Sequence, residues 1–117
     1  MSRAALFSSA ALLLLAGCRS YHIDATVENR TGAPIRLLEV DYPYASFGAN
    51  ALASGEDFRY RFTVTGEGPL RISYTAQDGK EAQITGPALA NRQQGRMEII
   101  LLPGGKADFR TQLKPGD

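Results

Sequence analysis

One cysteine, one histidine and no tryptophan stand among the 117 residues, and each scarcity closes a route. A single cysteine forbids any disulfide within the chain and any cysteine-based metal centre. The lone histidine, His22, has no second metal ligand or nucleophile near it in sequence, so Ser46, Ser54 and Ser73 have no other base to share a proton with. Carboxylates are scattered, mostly on turns or outward strand positions, with no pair that the pattern brings together for acid and base work. Charge of one sign is also missing: 13 basic residues face 12 acidic ones, without the basic block that nucleic acid requires. No run of about 20 apolar residues exists to make a spanning helix. Repeats, low-complexity tracts and Pro-rich linkers are absent too. The expectation is a protein that is not an enzyme, with no catalytic residues, no metal, no cofactor and no nucleic-acid partner.

What is present begins at the N-terminus. Arg3 supplies a positive charge, residues 4–15 are mostly apolar, and Ala16 and Gly17 are small residues before Cys18. That is the layout of a secretory signal peptide. Leu15-Ala16-Gly17-Cys18 resembles the lipobox of bacterial lipoproteins at all four positions. The resemblance implies that the Cys18 thiol receives a diacylglycerol, that the chain is cut before it, and that the new amino group is acylated as well, commonly with palmitate. Two or more acyl chains anchor stably where one binds reversibly. The expected organisation is a signal peptide over 1–17, a lipidated cysteine and short tether over 18–22, and a single domain over 23–117. Losing Arg3 leaves basic and acidic residues equal in number, so acylation rather than charge has to hold the membrane. Arg19 follows the cysteine where the enteric sorting rule retains lipoproteins at the inner membrane through aspartate. By resemblance this favours the outer membrane, facing the periplasm, in a cell that has one.

The mature stretch of about 100 residues is enough for one domain with its own core. Tyr21, Ile23, Ala25 and Val27 alternate with polar residues, the mark of a half-buried strand. Residues 35–42 read as a second strand whose phase switches between Leu37 and Leu38, implying a bulge or burial on both faces. Periodicity fails from 43 to 55. Strands follow over 58–64, 70–75, 81–85, 97–101 and 107–113, with a second irregular segment at 86–95. A three-residue loop ending in Gly79 sets Ala82 and Ile84 opposite Tyr74 and Ile72. Pro103-Gly104-Gly105 sets Ile99 opposite Phe109 and Glu98 opposite Arg110. About seven short strands and no helical period predict an all-β fold, an antiparallel β-sandwich of immunoglobulin or fibronectin type, with a small barrel as the alternative.

If successive strands run in opposite directions, the loops near 29–34, 65–69 and 86–95 point away from the membrane and those near 43–55, 77–79 and 103–105 toward it. Tyr42, Tyr44 and Phe47 are then candidate membrane-facing aromatics, and the same rings also suit a cap on the open end of the core. Asn91, Arg92, Gln93 and Gln94 form a candidate partner loop or a merely solvated tip. Arg59, Arg61 and Arg71 are expected to cluster on an outer face, as an anionic contact or as a guard against edge pairing. Asn29-Arg30-Thr31 matches the glycosylation pattern but reads as a turn. The expected function is a membrane-anchored, non-enzymatic interaction or structural module of the cell envelope that meets another envelope protein. The alternative is a carrier or sensor of a small apolar ligand in a cleft lined by Phe58, Tyr60, Phe62 and Tyr74.

Overall fold

A computed structural model describes residues 21–116. The expected signal peptide, Cys18 and the tether up to Ser20 lie outside the described residues. Eight strands follow one another: β1 Ile23–Asn29, β2 Ile35–Tyr42, β3 Ala45–Leu52, β4 Asp57–Phe62, β5 Gly68–Thr75, β6 Glu81–Leu89, β7 Gln94–Leu102 and β8 Lys106–Lys114. They form two four-stranded sheets, in the orders β4-β1-β7-β8 and β3-β2-β5-β6, which pack face to face as a β-sandwich.

Alternation decides which side chains fill the space between the sheets. In β1, Ile23, Ala25, Val27 and Asn29 are buried while the residues between them are half-exposed. Met97, Ile99 and Leu101 of β7 and Leu70, Ile72 and Tyr74 of β5 complete the middle of the core. β1 lies between β4, to which it is antiparallel, and β7, to which it is parallel. Every other strand pairing is antiparallel.

The two hairpins with clear turn chemistry have the expected registers. Ile72 pairs with Ile84 and Tyr74 with Ala82, and the loop closes on Gly79 at φ +85°. Ile99 pairs with Phe109 and Glu98 with Arg110 around Gly104 and Gly105, both at positive φ. In β2 the phase switch is a bulge: the register shifts between Arg36 and Glu39, and Leu37 is thrown outward at φ +53°.

The strand beyond the expected seven is β3. Its sequence, ASFGANAL, has only Phe47 and Leu52 buried, and small residues fill the rest. An edge strand covering a bulged neighbour needs no more, and at Gly48 it needs less, because a Cβ there would run into the Leu38 carbonyl. β6 is also longer than expected and runs on to Leu89. As an edge strand it tolerates Pro87, and Gly86 makes room for the Phe109 ring, which lies 2.9 Å from where a Cβ would stand.

One strand more reverses the direction of everything after it. Call the end where Tyr21 leads into β1 the proximal pole. The 43–44 turn, the 63–67 and 90–93 connections and the C-terminal end of β8 gather there, fixed by the pairs Ile23 with Phe62, Tyr42 with Ala45, Gly68 with Leu89 and Gly95 with Leu113. The 30–34, 53–56, 76–80 and 103–105 connections form the distal pole. The expected placement of the loops at 65–69 and 86–95 away from the chain's entrance, and of 77–79 and 103–105 toward it, is therefore corrected.

The distal pole is tied by Asn29, whose side chain is fully buried. Its amide donates to the carbonyls of Ala33, Leu52 and Ala53 at 2.9, 3.1 and 3.1 Å. Its Oδ1 accepts from the Thr31 amide at 3.1 Å and the Thr31 hydroxyl at 2.7 Å. The Asn-Arg-Thr triplet is a turn whose asparagine nitrogen is committed to the β1–β2 and β3–β4 connections.

Candidate functional site

Three regions carry chemistry worth weighing: the proximal pole, the outer face of the β1 sheet, and a cleft at the distal pole.

The proximal pole is built from loops that hold each other. The Thr63 hydroxyl donates to the Tyr21 carbonyl at 3.0 Å, and the Gly95 amide donates to the His22 carbonyl at 3.1 Å, so the incoming chain is pinned on two sides. The Arg92 guanidinium stands 4.4 Å from the centre of the Tyr21 ring, a cation–π contact, while its amide donates to the Val64 carbonyl. Asn91 Oδ1 accepts from the Gly66 amide at 3.0 Å. Gln93 Oε1 accepts from the Ala90 amide at 2.9 Å, and the Gln94 amide reaches the Pro115 carbonyl. The expected partner loop thus belongs to the same pole as the chain's entrance, and its two glutamines are half-buried and turned to local bonds. Only Asn91 and Arg92 are exposed.

Tyr44 is the outermost ring of this pole, 89% exposed. It occupies the second place of a Pro43-Tyr44 turn at φ +68°, where turn chemistry calls for glycine or asparagine. Holding a bulky residue there costs on the order of 1 kcal/mol. The ring rests on Gly66: a Cβ on that glycine would come within 2.6 Å of it.

Its neighbours in sequence behave differently. Phe47 is a core residue, stacked on Tyr60 with centroids 4.5 Å apart and rings 17° from parallel. Its expected membrane-facing role is therefore corrected, because β3 turns it inward. Tyr42 is half-buried with its ring 4.4 Å from Phe62, and burial first, then Tyr60, pushes its phenol above the usual range. Of the three candidate aromatics, Tyr44 alone faces out.

On the outer face, Arg61 Nε donates to Asp24 Oδ1 at 2.8 Å. That bond, chiefly, holds the Asp24 carboxyl below its ordinary value despite some desolvation. His22 Nε2 is 3.8 Å from the other Asp24 oxygen. Arg59, Arg61 and Arg96 line a shallow hollow here with Asp24 and Glu98. Arg71 is not with them; it lies on the second sheet, beside Glu39 and Asp41. The expected arginine cluster is split because β4 and β5 belong to different sheets.

At the distal pole a cleft of about 820 Å³ opens to solvent over Pro34, Ile35, Tyr74 and Ala82, with Asp78 and Lys80 at its rim. Its lining comes from three separate connections and the strand ends beside them, so no one sequence window announces it. The cleft expected from Phe58, Tyr60, Phe62 and Tyr74 does not form. The first three gather around Phe47, whose centroid lies 6.3, 4.5 and 5.6 Å from theirs, and Tyr74 lines the distal cleft instead. Among the described residues, no group of three or more His, Cys, Asp or Glu side chains is placed to hold a metal, and no helix is long and apolar enough to cross a membrane.

No protein-family model and no curated protein matches this chain. An NMR structure of a protein from Eubacterium rectale is similar over 80% of this chain and 93% of that one, with a TM-score of 0.57 and 14% identity. At that identity the likeness is one of fold.

Proposed function

We propose that the chain is a bacterial lipoprotein, anchored through Cys18, whose sandwich is a non-enzymatic interaction or structural module of the cell envelope. The observation that carries this reading is the Leu15-Ala16-Gly17-Cys18 motif, separated by only Arg19 and Ser20 from the pinned Tyr21 at one pole. A tether that short keeps the domain beside its anchor. Arg19, in place of an aspartate, favours the outer membrane with the domain in the periplasm where the cell has two membranes. A contiguous cluster of buried side chains between the sheets, with Phe58, Tyr60 and Phe62 gathered around Phe47 instead of lining a cleft, favours interaction through the surface.

Two measurements test the reading. The mass of the N-terminal peptide from protein made in a bacterium should show acylated Cys18 at the N-terminus, and Cys18→Ala should move the protein out of the membrane fraction. Crosslinking in the envelope, with Cys18→Ala as control, should then recover one defined neighbour with the anchored protein alone. An unmodified cysteine removes the lipoprotein reading; acylation without any reproducible neighbour removes the interaction module.

The distal cleft favours a second reading, the binding of a small apolar ligand on its floor of Pro34, Ile35, Tyr74 and Ala82. An apolar fluorescent dye should brighten with the folded protein and not with an Ala82→Arg variant. Equal brightening with both sinks this reading.

A further inference from the structure

We infer that the proximal pole is a second, protein-encoded membrane contact: Tyr44 and its surroundings seat on the phospholipid interface and hold the sandwich upright on its anchor. The inference rests on the reading of Cys18 as the attachment point. From there it follows from how Tyr21 is held against the domain.

Cys18 is three residues from Tyr21, and at about 3.5 Å per extended residue their Cα atoms lie no more than roughly 10 Å apart. Tyr21 cannot drift from the domain, because Thr63 binds its carbonyl and Arg92 covers its ring. The pole is therefore held at the depth of the headgroups. Amphipathic rings are favoured at that depth, with the apolar edge toward the acyl chains and the hydroxyl toward water.

Tyr44 suits the position in three respects. Among the described residues it is the most exposed of the large apolar side chains, at 89% against 64% for Leu37 on the bulge of β2 and 41% for Tyr60, whose ring stacks on Phe47. It belongs to the same connected surface as Tyr21, through Gly66 beneath its ring, Asn91 bound to Gly66, and Arg92 next to Asn91. And it is held in a left-handed conformation that a glycine or an asparagine would adopt with less strain. Around Tyr44 itself Arg71 stands with Asp41 and Glu67, and Arg92 and Lys114 lie further round the pole, so charge neither drives nor opposes the contact. Among the described residues, the opposite pole carries no exposed large apolar ring.

The chain has no tryptophan, so one introduced residue reports on one place. The mature chain from Cys18 onward retains the core, since every buried side chain among the described residues lies between Ile23 and Leu101. Its only thiol is coupled to a maleimide lipid in phosphatidylcholine vesicles, which sets the tether chemically. The result therefore does not depend on whether cells acylate Cys18, and the peptide mass reports that separately.

With Tyr44→Trp, emission should shift to shorter wavelength on coupling and be quenched by shallowly brominated lipid. With Lys80→Trp at the distal pole, neither should change. Quenching at neither position shows a domain swinging free on its tether, and equal quenching at both shows one lying flat; either result overturns the inference. A measurement without substitution covers a Tyr44→Trp variant that folds poorly. A nitroxide headgroup lipid should broaden the amide resonances of Gly66 and Asn91 in the coupled wild-type protein and leave those of Gly79 and Gly104 sharp. Uniform sharpness overturns the proposal as well.

Discussion

Replacing Asn29 should destabilise the domain more than any surface change, and the choice of replacement tests the reason. In Asn29→Ala five side-chain hydrogen bonds vanish, and the Leu52 carbonyl, reached through the bond buried at both ends, loses its side-chain donor. Leaving a buried acceptor unsatisfied costs about 1–3 kcal/mol, and each half-exposed bond about 0.5 kcal/mol, which gives roughly 3–5 kcal/mol. A domain of this size has about 5–10 kcal/mol in total. Asn29→Asp is nearly isosteric and keeps the two bonds from Thr31, yet it should be worse at pH 7. Its carboxylate would face three carbonyl oxygens with no proton to offer, inside the fold. Burial and those oxygens would raise its folded pKa above the unfolded value of about 3.9. The penalty is therefore fully present at neutral pH and is relieved as pH falls through the folded pKa, where the acid can donate one bond. Urea unfolding followed by circular dichroism at pH 7 and pH 5 reads both. A loss under about 1 kcal/mol for Asn29→Ala, or an aspartate variant that does not gain on its alanine counterpart with falling pH, refutes the clasp.

Further outcomes follow from the same geometry. Gly48→Ala should cost at least about 2 kcal/mol in urea unfolding because its Cβ meets the Leu38 backbone, which cannot swing aside as a side chain can. Gly55→Ala, in open space at φ +80°, should cost only about 1 kcal/mol, so equal costs would discount the close approach. Burial raises the phenols of Tyr42 and Tyr74. Their stabilising effect is thus complete below the unfolded pKa of about 10 and is lost as pH rises through the folded values. Absorbance at alkaline pH should show two of the five tyrosines ionising late and together with unfolding, and a single smooth transition at the ordinary pKa would contradict this. Tyr44→Asn should raise the melting temperature slightly, by relieving about 0.5–1 kcal/mol of left-handed strain, while abolishing the interfacial contact. A lowered melting temperature would mean that the ring on Gly66 matters more than the backbone.

How much of this was legible in the sequence depended on where burial alternates. β1, β5 and β7 alternate because each buries one face against the other sheet, and β8 turns only Ala107, Phe109 and Leu113 part-way inward. The 103–105 register followed from turn residues, and the 77–79 register from the alternation that chose a three-residue loop over a two-residue one. β3 was not legible. It lies at an edge over a bulge, so sterics demand small residues where a strand usually shows branched ones, and it reads as loop. That omission moved Phe47 from core to loop and sent the 90–93 connection to the wrong pole. Tyr44 was legible only as one of three aromatics, because nothing in the sequence tells it from Tyr42 and Phe47, which pack on each other and on Phe62. Asn29 carried no sign of its clasp, since three of its partners are backbone carbonyls and two of those are more than twenty residues away. The distal cleft was hidden for a similar reason: its walls are brought together only by the strand order.

Strand parity also sets what each pole can do. β1 spans seven residues, and at about 3.3 Å per residue it separates the poles by roughly 23 Å. The pole next to Cys18 carries the exposed tyrosine and the pinned chain; the other carries the cleft and the asparagine clasp. If the first is seated on a bilayer, the cleft opens away from it, at a height that neither lipid nor a short peptide tail on the membrane reaches. Whatever meets that cleft must then arrive through the aqueous phase. A domain that tumbled on its tether would lose this distinction, since each face would meet the membrane in turn. Two residues of tether and one strained tyrosine together would prevent that, because the first limits the distance and the second limits the angle. Lengthening the tether by about ten flexible residues should therefore weaken the orientation while leaving anchoring intact. Quenching at the Tyr44 position would fall toward that at the Lys80 position. If orientation survives the longer tether, the proximal surface binds lipid strongly enough alone, and the short tether is not what holds the angle.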